Sequence, residues 1–415
     1  RCGSIEHLIQ FSPPAETIDG ALSFERLAAD LAGAPSEEYE RASAAVTPDD
    51  AAQVIFTTGS TGSPKPALLS HRNITSQNLC LGAAFGFGEQ TRLLVNLPPS
   101  HVGGQAEALM TTLFWGGTAV VLEVFDPARS LDAIQQHRVS IVGQIPAMFN
   151  YEWRMSGYAG YDLGSLEVAI YGGQQVPRQF LERLSGMAPK IATGLGLTET
   201  AGFCTYTPPG ASVDEVLGSI GRDMPLYPMS VRRAMRADGM AGEALSDGEI
   251  GNVCFQGPQT FLGYVGEPEA TARTISRDGF LYTGDMGFRD ENGLHFSGRA
   301  KWIIKPAGHQ VFPGDVENHF CLLEEKVAAC AAVGVAHPLL AEAIVAFVEK
   351  KPGIELTPAE LRNHAKGMAS YMRPLHYVVL EPGGLPLNRA AKSDYLSLSE
   401  MARAEAARLG WTEAV

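Results

Sequence analysis

Short apolar runs alternate with longer stretches of helical periodicity through the first half of the chain. Ala52–Thr57 and Thr118–Val124 read as strands, Pro127–His137 as a helix, and Ser140–Gly143 as the strand that follows it. Such alternation predicts parallel or mixed sheets covered by helices. Another apolar run, Val168 to Tyr171, ends on Gly172-Gly173, and a strand running into a glycine turn is a common ligand position at a sheet edge. The longest apolar stretch, Ala108 to Phe125, is broken by Gly116-Gly117 and Glu123. That predicts a buried helix, a turn and a strand rather than a bilayer span.

From about Gly218 to Arg299 the texture changes to short β-rich pieces punctuated by glycines, which predicts a meander or small barrel. Beyond Lys301 the pattern predicts a strand at Trp302–Lys305 and a helix at Asp315–Leu323. Strands near Ala331–Val335 and Ile344–Glu349, a helix over Pro358–Met368 and a last strand at Tyr377–Leu380 follow. The expectation is an α/β chain: an N-terminal domain over 1–300 with mixed sheets and a small β-rich part, and an α+β domain over 301–415. No internal repeat or low-complexity segment interrupts it.

Composition narrows the function classes. With 415 residues, 45% hydrophobic and 19% charged, the chain can bury a sizeable core in two or three units. Its formal net charge of −14 disfavours nucleic acid as a partner. The six cysteines form no CxxC pair, so neither a zinc site nor a disulfide scaffold is implied, and a cytoplasmic location fits. No signal pattern follows Arg1, which suggests that the start is a cloning or sequencing boundary.

Four segments carry candidate chemistry. Phe56-Thr57-Thr58-Gly59-Ser60-Thr61-Gly62-Ser63-Pro64-Lys65 is a strand leading into a turn of small residues and hydroxyls. Backbone N–H groups there can cradle phosphate oxygens while Lys65 offsets their charge. The spacing is not that of a Walker A loop, and the plain alternative is a flexible polar turn. Gly194-Leu195-Gly196-Leu197-Thr198-Glu199 has a glutamate where a dinucleotide fingerprint needs its third glycine. Its carboxylate and hydroxyl could hold Mg2+ beside phosphate, or Thr198 and Glu199 could simply cap a helix. Tyr282-Thr283-Gly284-Asp285, with Arg299 further on, offers a carboxylate for ribose hydroxyls and a cation for phosphate. Lys392, in Leu385-Pro386-Leu387-Asn388-Arg389-Ala390-Ala391-Lys392, reads on its own as a solvated charge.

Taken together, TTGSTGSPK, YGGQQVP, GLGLTE, YTGD, GRAKWIIKPAG and LPLNRAAKSD stand in an order that resembles the adenylate-forming superfamily: acyl-CoA synthetases, amino-acid adenylation domains and firefly-type luciferases. The resemblance runs from about residue 5 to 400. It implies the adenylate-forming fold, here N-terminally incomplete, with a small mobile C-terminal domain. It further implies an enzyme that uses ATP with Mg2+ to make an acyl-adenylate and passes the acyl group to coenzyme A. By position, Thr58, Gly59, Ser60, Thr61, Gly62 and Lys65 match the triphosphate loop. Gly172, Gly173 and Gln174, with Gly194 and Leu195, match the adenine region. Thr198 and Glu199 match the phosphate and Mg2+ pair, and Asp285 and Arg299 the ribose and phosphate contacts. Lys301 matches the hinge and Lys392 the lysine at the reacting carboxylate. Lys305 and Gly308 would lie on the coenzyme A face, and His101 and Gly196 at the acyl pocket.

The departures are Pro66 for the usual glycine after Lys65, Leu195 for an adenine-stacking tyrosine, and Ala391 for the glycine before Lys392. No acid near His101 suggests itself for an amino-acid substrate, which favours coenzyme A over a carrier protein as acceptor. An acyl-AMP ligase or luciferase-like enzyme, or an inactive nucleotide-binding fragment, stand as alternatives.

Overall fold

Five parallel strands form the central sheet of the larger part of the chain, in the spatial order Thr118–Val121, Arg92–Val95, Ile141–Gln144, Val168–Tyr171, Lys190–Thr193. Their side chains alternate between two cores. Leu93, Val95, Ile141, Val168 and Ile170 pack into one, while Leu94, Val142, Ala169, Tyr171 and Ile191 pack into the other. A parallel sheet covered on both faces needs such runs without polar interruption. This computed structural model describes residues 7–11, 18–30, 33, 35–57, 64–387 and 393–411, in two compact units, 1–50 and 51–415. In the first unit Ile9–Gln10 pairs in parallel with Leu22–Ser23. Two helices follow, Phe24–Asp30 and Glu37–Ala45, the second capped by Ser36.

In the second unit the helix Pro127–His137 has the predicted bounds, and the residues around it explain them. Asp126 Oδ1 accepts from the Arg129 N–H at 2.9 Å and Pro127 occupies the first turn. At the other end Arg138 enters the left-handed region at φ 49° and stops the helix. The strand predicted to Val124 ends at Val121, where its pairing with Arg92–Val95 runs out. The stretch from Ala108 becomes helix, turn and strand as predicted, but its first part is a π-helix, Gly103–Met110. Among the described residues no helix is long and apolar enough to cross a membrane.

The glycine-rich region is a four-stranded antiparallel sheet in the order Met229–Arg232, Gly251–Phe255, Leu281–Asp290, Gly293–Arg299. Its outer strands are not paired with each other, so it is an open meander and no barrel. One piece, Gly263–Tyr264, leaves it and joins Pro66–Ser70, which in turn pairs with Ala51–Phe56. Beyond it Val327–His337, Ala341–Lys350 and His376–Leu380 form a mixed sheet. The helix Tyr395–Arg408 presses Leu398, Ala402 and Ala406 into the core beside that sheet.

The strand predicted at Trp302–Lys305 is a correction. The segment is a 3-10 turn, Ala300–Trp302, followed by a single bridge from Ile304 to Val311. Trp302 stacks on Tyr395 at 5.2 Å, and the Lys305 N–H donates to Glu342 Oε2 at 2.6 Å instead of to a neighbouring strand. The predicted helix Asp315–Leu323 is shifted to Pro313–Cys321 because Pro313 can open it but not continue one. The helix from Pro358 stays α-helical to His364 and tightens to a 3-10 turn over Ala365–Gly367. Arg373 draws the carbonyls of Lys366 and Met368 outward, at 3.0 and 2.8 Å.

Beneath the parallel sheet Glu152 is fully buried and accepts from Ser130 Oγ at 2.5 Å and Gln144 Nε2 at 3.0 Å. Burial outweighs these bonds and pushes its carboxyl up to about 7. A pKa raised on folding gives stability that is complete at low pH and is lost as pH climbs through the folded value. Thermal unfolding from pH 5 to 7.5 therefore shows Tm falling in the wild type. In Glu152→Gln that fall is smaller, because the amide does not titrate, and Gln144 Oε1, which has no partner among the described residues, can receive it.

Candidate active site

The strands Ala51–Phe56 and Pro66–Ser70 bring the ends of the first motif together. The Thr57 N–H donates to the Lys65 carbonyl at 2.9 Å, and the Lys65 N–H to Thr57 Oγ1 at 3.2 Å. Pro66 opens its strand, where a missing N–H is tolerated. Thr58, Gly59, Ser60, Thr61 and Gly62 lie outside the described residues. Lys65 Nζ sits 5.1 Å from the centre of the Tyr264 ring, within cation–π range.

Tyr264 is the residue that sequence reading missed. It reaches the site because Gly263–Tyr264 crosses to the Pro66–Ser70 strand, and its hydroxyl donates to Glu199 Oε1 at 2.5 Å. Burial, and then the Glu199 charge, hold the phenol well above its ordinary range, so Tyr264 remains a donor at every physiological pH. It joins the first and third motifs: a cation above its ring and a carboxylate at its hydroxyl. Only a strand swap invisible in local periodicity places it there.

Glu199 projects from the 3-10 turn Thr198–Thr200. The capping alternative falls to Thr200, whose Oγ1 accepts from the Leu197 N–H at 3.2 Å. The turn is pinned elsewhere as well, by Phe261 N–H to the Glu199 carbonyl at 3.0 Å and Gln259 Nε2 to the Thr200 carbonyl at 3.2 Å. Ala201 closes it at φ 56°, a conformation that costs a residue with a Cβ about 1 kcal/mol or more. So many restraints on three residues fix the direction of one carboxylate. Replacing Tyr264 by phenylalanine removes a hydrogen bond to a charged group, worth about 1.5–3 kcal/mol. The ATP-dependent AMP formation that the resemblance implies is therefore expected to fall about tenfold or more in Tyr264→Phe, with unchanged ATP dependence and rate the result that removes Tyr264 from the site.

Asp285 and Arg299 are register partners across the hairpin of Leu281–Asp290 and Gly293–Arg299. Arg299 Nε lies 3.1 Å from Asp285 Oδ1, with Asp285 buried and Arg299 half-exposed. Lys301, next in line, is pushed down to about 8 by desolvation and then by Arg299 and Lys65. The structure thus gathers Lys65, Arg299 and Lys301 into one basic neighbourhood, a surrounding suited to several phosphate charges.

The glycine motifs converge on one ring. Side chains built at Gly172, Gly194 and Gly196 would come within 3.4, 3.0 and 3.3 Å of Phe203. Gly194 has a further constraint, since a Cβ there would stand 2.1 Å from the Thr205 carbonyl oxygen. Gly173 turns the chain after Val168–Tyr171 at φ 96° and leads to Gln174, which faces solvent. Leu195 is tied to the strand beside it, its N–H on Thr205 Oγ1 at 2.8 Å and its carbonyl on the Cys204 N–H at 2.8 Å.

His101 is exposed, and its Nδ1 accepts the Gly103 N–H at 3.0 Å. The π-helix after it is crowded against the preceding loop: a Cβ at Gly104 would lie 2.4 Å from the Pro98 carbonyl oxygen. π-helices often mark functional positions. This one carries Glu107, whose Oε1 lies 3.3 Å from where a Gly196 side chain would begin. The expectation of no acid in this region is thus corrected: Glu107 follows His101 by too many residues to be noticed without the fold. Burial raises it to about 7 despite the nearby Phe203 N–H.

Lys305 and Gly308 stand on an exposed hairpin turn, Gly308 at φ 84°. They flank a cavity of about 210 Å3 lined by Ala307, His309, Tyr371 and Arg373. The rings of His309 and Tyr371 stack at 4.4 Å. Lys392 lies outside the described residues. Among the described residues no three His, Cys, Asp or Glu side chains gather to hold a metal. The donors present, Glu199 with the Thr198 hydroxyl, fit an oxygen-seeking ion that keeps most of its own water, as Mg2+ does.

Comparison with known proteins places these features in a family. Residues 8–265 match AMP-binding enzymes, and residues 315–392 match the C-terminal domain of AMP-binding enzymes. A feruloyl-CoA synthase from an Amycolatopsis species is 33% identical over 320 residues, 75% of this chain and 62% of the relative. The chain therefore spans under two thirds of that relative's length. A methyl-dioxo-octahydroindenyl-propanoyl:CoA ligase from Mycobacterium tuberculosis is 30% identical over 402 residues, covering 96% of this chain and 75% of the relative. Among solved structures, ATP-bound MatB from Rhodopseudomonas palustris superposes with a TM-score of 0.77 at 27% identity, over 86% of this chain and 69% of that one. Amide bond synthetase McbA from Marinactinospora thermotolerans gives 0.78 at 27% identity, over 96% and 76%.

Proposed function

The chain belongs to the AMP-binding enzyme family, and from that premise we propose that it activates a carboxylic acid with ATP as an acyl-adenylate and transfers the acyl group to coenzyme A. The observation that carries the reading is the linked set Lys65, Tyr264 and Glu199, with Arg299 and Lys301 beside it. A carboxylate attacking the α-phosphate of ATP brings two anions together, and fixed cations lower the barrier to that approach. Lys65, Arg299 and Lys301 meet the triphosphate, and Asp285 meets the ribose hydroxyls. Glu199 and Thr198 would hold Mg2+, which supplies further charge neutralisation when bound. Tyr264 keeps Glu199 aimed, and its cation–π contact restrains Lys65.

Gly172, Gly173 and Gln174 with Gly194 and Leu195 border the adenine, the aliphatic Leu195 giving contact area without stacking. The acid lies beside Gly196 and His101. The stacked rings of His309 and Tyr371 and the turn of Lys305 and Gly308 are assigned to coenzyme A. A two-domain arrangement over 1–300 and 301–415, turning about Lys301, fits two half-reactions that use different faces. The likeness to an amide bond synthetase supports a second reading in which the adenylate passes to an amine.

The test is carboxylate-dependent release of AMP and pyrophosphate from ATP, with and without coenzyme A, across short, long and aromatic acids. AMP release with thioester formation supports the ligase reading. Pyrophosphate release without thioester moves the reading to an acyl-AMP enzyme, and amide formation on adding an amine identifies its acceptor. Silence with every acid overturns both.

A further inference from the structure

The wall beside Gly196 carries two polar groups that adenylation chemistry does not employ. Glu107 sends Oε1 to within 2.7 Å, and Gln77 sends Nε2 to within 2.8 Å, of the point where a Gly202 side chain would begin. Gln77 is fully buried. Its Oε1 is taken by Asn78 Nδ2 at 3.0 Å, while its Nε2 has no hydrogen-bond partner among the described residues. No basic side chain among the described residues forms an ion pair with Glu107, and its Oε2 turns toward Gly103, 3.2 Å from where a side chain there would begin. An acceptor that already takes one backbone N–H, from Phe203, and a donor with none of its bonds made therefore lie against the same glycine.

The pair discriminates among ligand groups. An ammonium satisfies Glu107 but sets its own N–H bonds against those of Gln77, and a carbonyl satisfies Gln77 but repels the carboxylate. A hydroxyl does both, donating its proton to Glu107 and accepting from Gln77. We propose that Glu107 and Gln77 select a carboxylic acid that bears a hydroxyl on its acyl chain or ring. This rests on the reading that the acid binds against Gly196. A site built to hydrogen-bond a substrate hydroxyl discriminates strongly against the analogue without it, because its own polar groups are then left unpaired.

The experiment measures kcat/KM for AMP formation with matched acids that differ only in hydrogen, hydroxyl or ammonium at one position, aliphatic and aromatic. In the wild type the best hydroxylated acid is expected to exceed its unsubstituted partner by at least about tenfold. In Glu107→Gln, which keeps the volume, and in Gln77→Leu, that ratio collapses toward one. Circular dichroism and Tm show whether each variant is folded, and either folded variant suffices. An unchanged ratio in a folded variant, equal rates for the wild-type pairs, or a preference for the ammonium partner overturns the assignment while leaving adenylation standing. Silence with every acid removes the underlying reading and this one with it.

Discussion

Lys392→Ala is expected to slow acyl-adenylate formation on the order of hundreds-fold while still making thioester from a supplied acyl-adenylate. The first half-reaction needs a cation where the carboxylate meets the α-phosphate, and removing one preorganised charge contact of that kind costs about 3–4 kcal/mol, a rate factor on the order of hundreds. The second half-reaction attacks an adenylate already made, with AMP as leaving group, and needs no cation at that point. Lys392 is proposed for this role from the resemblance of its motif. The measurement pairs pyrophosphate exchange with thioester formation from synthetic acyl-adenylate. Equal loss of both half-reactions contradicts a division of labour between two faces of the C-terminal part.

What the sequence could and could not reveal divides along the range of the forces involved. Pro127–His137 and Val168–Tyr171 were legible to the residue, because a cap, a proline and a glycine pair act within a few positions. Trp302–Lys305 misled, since an apolar run of that length does not say whether its N–H groups meet a strand or a carboxylate such as Glu342. The first motif declared Lys65, and the third Glu199, yet nothing local announced Tyr264, 65 residues beyond the carboxylate it holds. Phe203, against which three motif glycines pack, was equally silent: a phenylalanine in a short apolar piece looks like any core residue. Glu107 and Gln77 were hidden for the same reason, being brought together by a π-helix that periodicity does not encode. Residues proposed to act on a ligand were readable by type; the residues that contact and position them were not.

Glu199→Gln is expected to reduce AMP formation on the order of hundreds-fold with little change in Tm. The substitution keeps the volume and leaves an amide oxygen to accept from Tyr264, so the restrained turn Thr198–Thr200 and its bonds to Phe261 and Gln259 persist. What disappears is the charge. With it goes most of the affinity for a hard cation, because a neutral amide oxygen is a far weaker ligand than a carboxylate for an ion that surrenders water reluctantly. A structural role for Glu199 predicts the opposite pair of results, a lower Tm and a modest rate effect. The decisive readout is the Mg2+ dependence: if Glu199 holds the ion, higher Mg2+ recovers part of the lost rate in Glu199→Gln. Tyr264→Phe, which retains the charge but loses its aim, falls between the two and responds less to added Mg2+. A loss in Glu199→Gln that no Mg2+ concentration moves, in a protein of unchanged Tm, would place its carboxylate on the substrate's proton or hydroxyl chemistry and not on the metal.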